Sequence, residues 1–428
     1  MSPAFNLQTC ARPNILALEP YRCARDDYKD DGTNVLLDAN ENAYGPPFAT
    51  NATTTTTDAS SNGSSQAPKA ATLISEAESA GFDLLGLHRY PDPHQAVLKQ
   101  QLCALRNTHA HTSKTLTPAN LFVGVGSDEA IDALLRCFCV PGRDKILVCP
   151  PTYGMYGVSA QVNDLGLVKV PLTAAPEFGV DVPAVHAALD ASVASPDYDI
   201  KIVYLCSPGN PTGRIISKDE VTAVLNHPTW NGIVVVDEAY VDFVADQRTA
   251  SLAEWVLEWP NLVVMQTLSK AFGMAGIRLG SAFCDPAVAA LLNSLKAPYN
   301  IASPTSSLAR SVLAPEGLSV MRSNLAKLVA QRERLVAELP KIAGVGRLRG
   351  GVDSNFLLYE MLNAQGEPDN GIALAVYTKL AEQRGVVVRF RGKEHGCLGC
   401  LRITVGTEEE VTRFLAAIEK TLAEVRGA

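Results

Sequence analysis

The sequence predicts an α/β protein with a large domain on a mainly parallel sheet covered by helices, followed by a smaller C-terminal α/β domain. Three observations carry this. Apolar runs of strand length recur at helix-length spacing, and each passes directly into polar, Gly or Pro residues. An intervening segment shows helical periodicity, with Ile131, Leu134, Leu135 and Phe138 on one face. Past Gly344 the runs become shorter and sparser.

Taken in order, residues 1–48 read as an N-terminal arm with several prolines and an extended run from Asn34 to Asn42. Residues 49–80 read as a low-complexity surface insertion. Its Thr53–Thr57 homopolymer and following Ser, Asn and Gly cannot bury enough surface to offset the entropy of ordering. The large domain is expected over 81–303. Its strands are Leu121–Val125, Lys145–Cys149, Lys201–Cys206, Gly232–Val236 and Leu262–Leu268. A helical stretch follows at Val288–Leu295 and Ser306–Leu339. The small domain, 304–428, holds strands at Asn355–Tyr359, Val386–Arg389 and Cys400–Val405 and a closing helix at Glu408–Arg426. In open α/β sheets ligands bind beyond the carboxyl ends of the strands, so the site is expected there.

Composition narrows the function classes. With 37 basic against 45 acidic residues, the formal net charge of −8 disfavours nucleic acid as a general partner. No apolar run reaches the roughly 18–20 residues that span a bilayer. The arginines near the start (Arg12, Arg22, Arg25) alternate with Glu19, Asp26 and Asp27, unlike an acid-poor transit peptide. Ten scattered cysteines suit reduced thiols, and a cytoplasmic location is expected.

Four strand ends carry chemistry. Gly124-Val-Gly-Ser-Asp-Glu is a glycine turn into a helix, with Ser127 as expected N-cap; its free N–H groups favour an anion such as a phosphate. Read alone, it is equally a plain βα turn. Asp237, in Val236-Asp-Glu-Ala-Tyr240, closes an apolar strand and needs a partner for its charge, whether a salt bridge, a helix cap or a protonated ring nitrogen. Ser269-Lys270, followed by Arg278, puts an amine beside potential phosphate ligands, as a Schiff-base lysine requires. Ser207-Pro-Gly-Asn210-Pro-Thr-Gly is turn-dense and presents the Asn210 amide.

In chain order, with the Asn210 turn between the glycine turn and Asp237, the four resemble the aspartate-aminotransferase superfamily of pyridoxal 5'-phosphate enzymes, fold type I. Leu37–Asn42, His88-Arg-Tyr90-Pro-Asp-Pro, Cys149-Pro-Pro-Thr-Tyr153-Gly-Met-Tyr and Cys400-Leu-Arg402-Ile-Thr-Val-Gly resemble the histidinol-phosphate aminotransferase family within it. The resemblance runs from about Arg12 to the end, interrupted at 49–80. It implies that Lys270 carries the cofactor, that Ser127, Asp128, Ser269 and Arg278 lie at its phosphate, and that Tyr153 stacks on its ring. It further implies that Asp237 pairs with the ring nitrogen and that Asn210 and Tyr240 contact its phenolic oxygen. Tyr90 would reach the partner subunit's cofactor, making a homodimer with shared active sites. Arg389 and Arg402 would anchor the anionic substrates, histidinol phosphate and 2-oxoglutarate. Asn42 and Tyr44 would sit near the site entrance. One departure is Gly209, where the family often has a first Asn before Asn210. An aromatic amino-acid aminotransferase or a threonine-phosphate decarboxylase would keep the same cofactor residues. A non-enzymatic regulator on this fold would need a DNA-binding region, for which residues 1–48 are too short and too Pro-rich.

Three further features suggest packing. Cys397-Leu-Gly-Cys400 lacks a second ligand pair at zinc spacing. Cys137 and Cys139 are expected on the helix after the glycine turn, and Trp255 and Trp259 on a core-facing helix stripe.

Overall fold

The computed structural model describes residues 33–47 and 85–427. The 49–80 insertion and the N-terminal arginines lie outside the described residues. The first strand, β1 (Val35–Leu36), belongs to the arm. The large sheet contains β2 (Leu121–Val125), β3 (Lys145–Val148), β4 (Gly166–Lys169), β5 (Ile200–Cys206), β6 (Ile233–Asp237), β7 (Leu262–Thr267) and β8 (Leu279–Phe283), in the order β2-β8-β7-β6-β5-β3-β4. Strands β7, β6, β5, β3 and β4 pair in parallel, and only β8 runs against its neighbours. The expected mainly parallel sheet is present. Strands β4 and β8 lie outside the five predicted from apolar runs.

Burial on both faces follows from the two-residue period of a strand. Along β5, Val203 and Leu205 enter one core cluster, while Ile202, Tyr204 and Cys206 enter another on the opposite face. Around the sheet lie α1 (Ala96–Arg106), α2 (Gly126–Phe138), α3 (Met155–Val162), α4 (Val182–Val193), α5 (Lys218–Leu225) and α6 (Pro286–Leu295). Local chemistry marks several starts. Ser217 and Glu220 form a reciprocal capping box on α5, and Asp181 caps α4 with Pro183 in its first turn.

The stretch expected as helix from Ser306 to Leu339 is two helices, α7 (Ser303–Val312) and α8 (Pro315–Glu338). Pro315 cannot continue α7, because it lacks the N–H that a helix interior needs. A second, antiparallel sheet contains β9 (Val345–Leu348) and β10 (Phe356–Met361), with helix α9 (Asn370–Arg384) after them. The Val386–Arg389 run divides. β11 (Val386–Val387) pairs in parallel with β1, while β12 (Arg389–Phe390) joins β13 (Cys400–Thr404) in the order β12-β13-β10-β9. The closing helix α10 (Glu408–Arg426) matches its expected span and starts on a Thr407–Glu410 capping box. The arm is therefore tied into the C-terminal part of the chain: Leu37 N–H donates to Val387 O, and Thr404 N–H to Leu37 O.

Two packing expectations change in detail. Trp255 lies on a 3-10 turn (Ala253–Leu257) and Trp259 just beyond it, both partly buried against the core. Cys139 falls just past the end of α2, where it is buried. The eight described cysteines are free thiols, and among the described residues no group of three or more His, Cys, Asp or Glu could hold a metal. Among the same residues no helix is long and apolar enough to cross a membrane.

Candidate active site

A cavity of about 260 Å³ opens at the carboxyl ends of the parallel strands. Ser127 and Asp128 reach it from the start of α2, Tyr153 from the turn after β3, and Asn210 from the turn after β5. Asp237 and Tyr240 enter from the end of β6, Ser269 and Lys270 from the turn after β7, and Arg278 from just before β8. Arg389 and Arg402 come from β12 and β13 of the second sheet. Sequence segments far apart thus converge on one wall, as the strand-end rule requires.

The anion end is built from backbone as well as side chains. Ser127 is not the N-cap of α2. The helix starts one residue earlier, at Gly126, after Val125, with no side-chain cap. Gly126 adopts φ 72°, a left-handed turn that leads directly into the helix. The first-turn N–H groups remain without a side-chain cap and favour an anion through the helix dipole. Arg278 is also left-handed (φ 52°); its carbonyl accepts from Gly126 N–H at 3.1 Å, and its Nη2 lies 3.3 Å from Asp128 Oδ2. The Ser269 and Thr267 hydroxyls are 2.9 Å apart. Serine hydroxyls, a guanidinium and a helix start form a donor set suited to a phosphate monoester.

Asp237 forms the buried acidic end. Burial raises its carboxyl from 3.8 to about 6, against the hydrogen bond donated by Tyr156 Oη at 2.6 Å and the N–H of Ala239. Tyr156 stacks on Tyr204 at 4.6 Å, and burial raises the phenol of Tyr156 well above its ordinary range. Neighbouring Glu238 points the other way, as strand alternation demands. It accepts from Leu252 N–H, the Ser251 hydroxyl and the Gln266 amide, and takes no part in the cavity.

Lys270 is buried within this field. Its Nζ donates to Ala39 O at 2.9 Å. Burial first, and the Arg402 cation second, lower its amine from 10.5 to about 8, so the neutral nucleophilic form is accessible near neutrality. Tyr240 is pushed up to about 12 by burial, against the pull of Arg402 and a hydrogen bond from Asn40. Arg402 donates from Nη1 to Asn210 Oδ1 at 2.7 Å and from Nη2 to Asp38 O.

Two predicted residues fall elsewhere, and Tyr90, expected at the partner subunit's cofactor, lies outside this subunit's own cavity. Asn42 and Tyr44 do not line this cavity. Asn42 donates to Ala271 O and borders an adjoining cavity, while Tyr44 packs partly buried against the core. Tyr90 is exposed and stacks on Tyr299 at 4.5 Å, outside the cavity. The residues missed are Asp38, Ala39, Asn40 and Glu41, which line the cavity, and Tyr156 behind Asp237. Tyr156 stood in the Tyr153-Gly-Met-Tyr run, three residues from Tyr153, a helical spacing that could have flagged it.

A family profile described as "Aminotransferase class I and II" matches residues 60–418. The chain is 46% identical to histidinol-phosphate aminotransferase of Candida maltosa, over 98% of this chain and 99% of that one. It is 47% identical to histidinol-phosphate aminotransferase of Schizosaccharomyces pombe, over 98% of each. Its fold matches histidinol-phosphate aminotransferase from Sinorhizobium meliloti, solved with pyridoxal-5'-phosphate, at TM-score 0.76 and 20% identity, covering 97% and 98% of the two chains. With strand-end chemistry, cavity and near full-length identity in agreement, the chain belongs to the histidinol-phosphate aminotransferase family of the class I and II aminotransferases.

Proposed function

We propose that the chain transfers the amino group of L-histidinol phosphate to 2-oxoglutarate, giving imidazole acetol phosphate and glutamate, with pyridoxal 5'-phosphate as cofactor. The observation that carries this reading is the near full-length identity to relatives of that name, joined to a cavity holding every residue type the cofactor needs. The residues present fit the group. Lys270 offers an amine to its aldehyde, and Ser127, Ser269 and Arg278 offer donors to its phosphate. Asp237 offers a buried carboxylate to its ring nitrogen, and Tyr153 a ring face. When bound, the cofactor supplies an electron sink for the substrate's Cα carbanion.

The chain's own side chains do the rest. Asp237, whose ionised form the Tyr156 hydroxyl favours against burial, pairs with the positive ring nitrogen and is stabilised by it in turn. The Lys270 amine, deprotonated near pH 8, takes the proton from the substrate's Cα and holds it at Nζ as general base. Arg389 and Arg402 anchor the phosphate of the donor and a carboxylate of the acceptor, because a guanidinium fork suits both anions. Two half-reactions on one site predict ping-pong kinetics.

The reading includes a cytoplasmic homodimer. Free, mostly buried thiols support a reducing compartment. For the dimer, Lys296 Nζ donates to Pro93 O and Lys99 Nζ to Asn293 Oδ1, which brings residues 90–99 against 293–299. Exposed Tyr90, Val97, Leu295 and Tyr299 lie on these two stretches, with exposed Leu291 just before the second, an apolar surface suited to a subunit contact.

The test is glutamate formation from 2-oxoglutarate with L-histidinol phosphate, beside phenylalanine and tyrosine as donors. Strong preference for histidinol phosphate is expected. Preference for the aromatic amino acids moves the substrate within the subfamily, and carbon dioxide release without need of a keto acid indicates a decarboxylase. Lys270→Ala should abolish turnover while still binding cofactor noncovalently; retained transamination would sink the Lys270 assignment.

A further inference from the structure

The wall that the arm contributes to the cavity is held from the other end of the chain. Asn40 is buried, adopts φ 55° and lines the cavity. Its backbone N–H donates to Thr404 Oγ1 at 3.1 Å. An amide N–H can only donate, so this bond has a fixed direction. Thr404 Oγ1 then donates to Asn40 Oδ1 at 3.0 Å, the one acceptor recorded for it among the described residues. That bond orients the Asn40 amide, whose Nδ2 donates to Tyr240 Oη at 2.9 Å. With its oxygen accepting from Asn40, Tyr240 keeps its own proton for an acceptor in the cavity it lines. A third contact, from Asn355 Nδ2 to Asn40 O at 3.0 Å, fixes the backbone of the relay. The opposite amide orientation would leave the buried Thr404 hydroxyl proton without an acceptor, a costly state.

We propose that Asn40 and Thr404 are positioning residues that set the polarity of the Tyr240 hydroxyl and make it a donor toward the phenolic oxygen of the bound cofactor. This rests on reading the cavity as a pyridoxal phosphate site. Arg402 on β13, Asp237 on β6 and the Cys206 thiol at the end of β5 are the charged or titratable groups that bear on Tyr240, and among the described residues the side chain bonded to its hydroxyl is Asn40. The relay therefore decides which way the hydroxyl proton points.

The test uses the full-length protein loaded with pyridoxal phosphate and reads the pH midpoint of its visible absorbance change. A donor on the phenolic oxygen withdraws electron density, so the proton shared with the neighbouring nitrogen is lost at lower pH. Asn40→Gly keeps the left-handed backbone and adds no charge. Thr404→Val keeps the side-chain shape and removes the hydroxyl. Each is expected to move the midpoint up by about 0.5–1 pH unit, the equivalent of one net hydrogen bond. Thr404→Ser restores the original midpoint. In a Tyr240→Phe background neither substitution moves it further. An equal shift without the Tyr240 hydroxyl overturns the proposal, as does an unchanged midpoint in both single variants. A wild-type protein that shows no pH-dependent cofactor band overturns the reading of the site, and this inference with it.

Discussion

At the scale of single residues, the site sets two buried ionisable groups against their own solvation. Asp237 has an ordinary carboxyl value of 3.8 when unfolded and about 6 when folded, so between these the folded chain binds the extra proton. Its stabilising contribution is full below 3.8 and is lost as pH rises through about 6. In cofactor-free protein at about pH 8, Asp237→Asn should therefore raise Tm by roughly a few degrees while weakening cofactor retention. A lower Tm would show that the Tyr156 bond outweighs desolvation. Lys270 makes a second case. Capture of pyridoxal phosphate by the cofactor-free protein should accelerate as pH rises through about 8, where the amine becomes neutral. Arg402→Ala removes a cation that holds this amine down and should move the rise to higher pH, read by stopped-flow absorbance. Asp237 and Lys270 were legible in the sequence because one ends an apolar strand and the other follows one closely, where a charge stands out. Asn40 was not, although it lies two residues from Asn42. The arm there has no periodicity, and only the left-handed turn at Asn40 decides which asparagine faces the cavity.

At the scale of elements, β8 passes so close beneath the start of α2 that a Cβ on Gly280 would lie 2.3 Å from Ser127 N and 2.4 Å from Gly126 C. Both are backbone atoms of the turn that offers N–H groups to a phosphate, and neither can swing aside. Gly280→Ala should fold yet bind pyridoxal phosphate at least tenfold more weakly, about 1.4 kcal/mol, in an equilibrium titration. An unchanged Kd would mean that the turn yields without losing its anion site. The same strand shows why part of the fold was hidden. Leu279-Gly-Ser-Ala-Phe lacks the β-branched run that marks β6 or β7, yet it is fully buried between β2 and β7. The Val386–Arg389 run has the composition of one strand, but its two halves join different sheets, a division set by partners that no local pattern records. Helix α10, with its capping box and apolar face, was readable to its ends.

At the scale of the whole molecule, the expected shared site can be tested by mixing inactive subunits. A Tyr90→Ala subunit retains Lys270, and a Lys270→Ala subunit retains Tyr90. If Tyr90 serves the partner's cofactor, hybrid dimers regain one complete site, and activity returns on mixing and reassembly. No recovery, with dimers demonstrated by sedimentation, would confine Tyr90 to its own subunit. The parallel-sheet architecture was visible from strand spacing, but the return of the arm to β11 and β13 was not, since two-residue strands carry no signal of their partners. That return has a consequence for the order of events during synthesis. Asn40 is among the first described residues to leave the ribosome, and Thr404, which directs it, is among the last, 364 positions later. Asp237, Lys270 and Arg278 can assemble on their sheet long before, but Asp38 O and the Asn40 N–H lack their partners, Arg402 and Thr404, until β13 has emerged. A nascent chain therefore holds its lysine ready well before it holds the wall that orients its tyrosine. Completion of this active site waits for β13 to emerge, and capture of the cofactor in its final geometry waits with it.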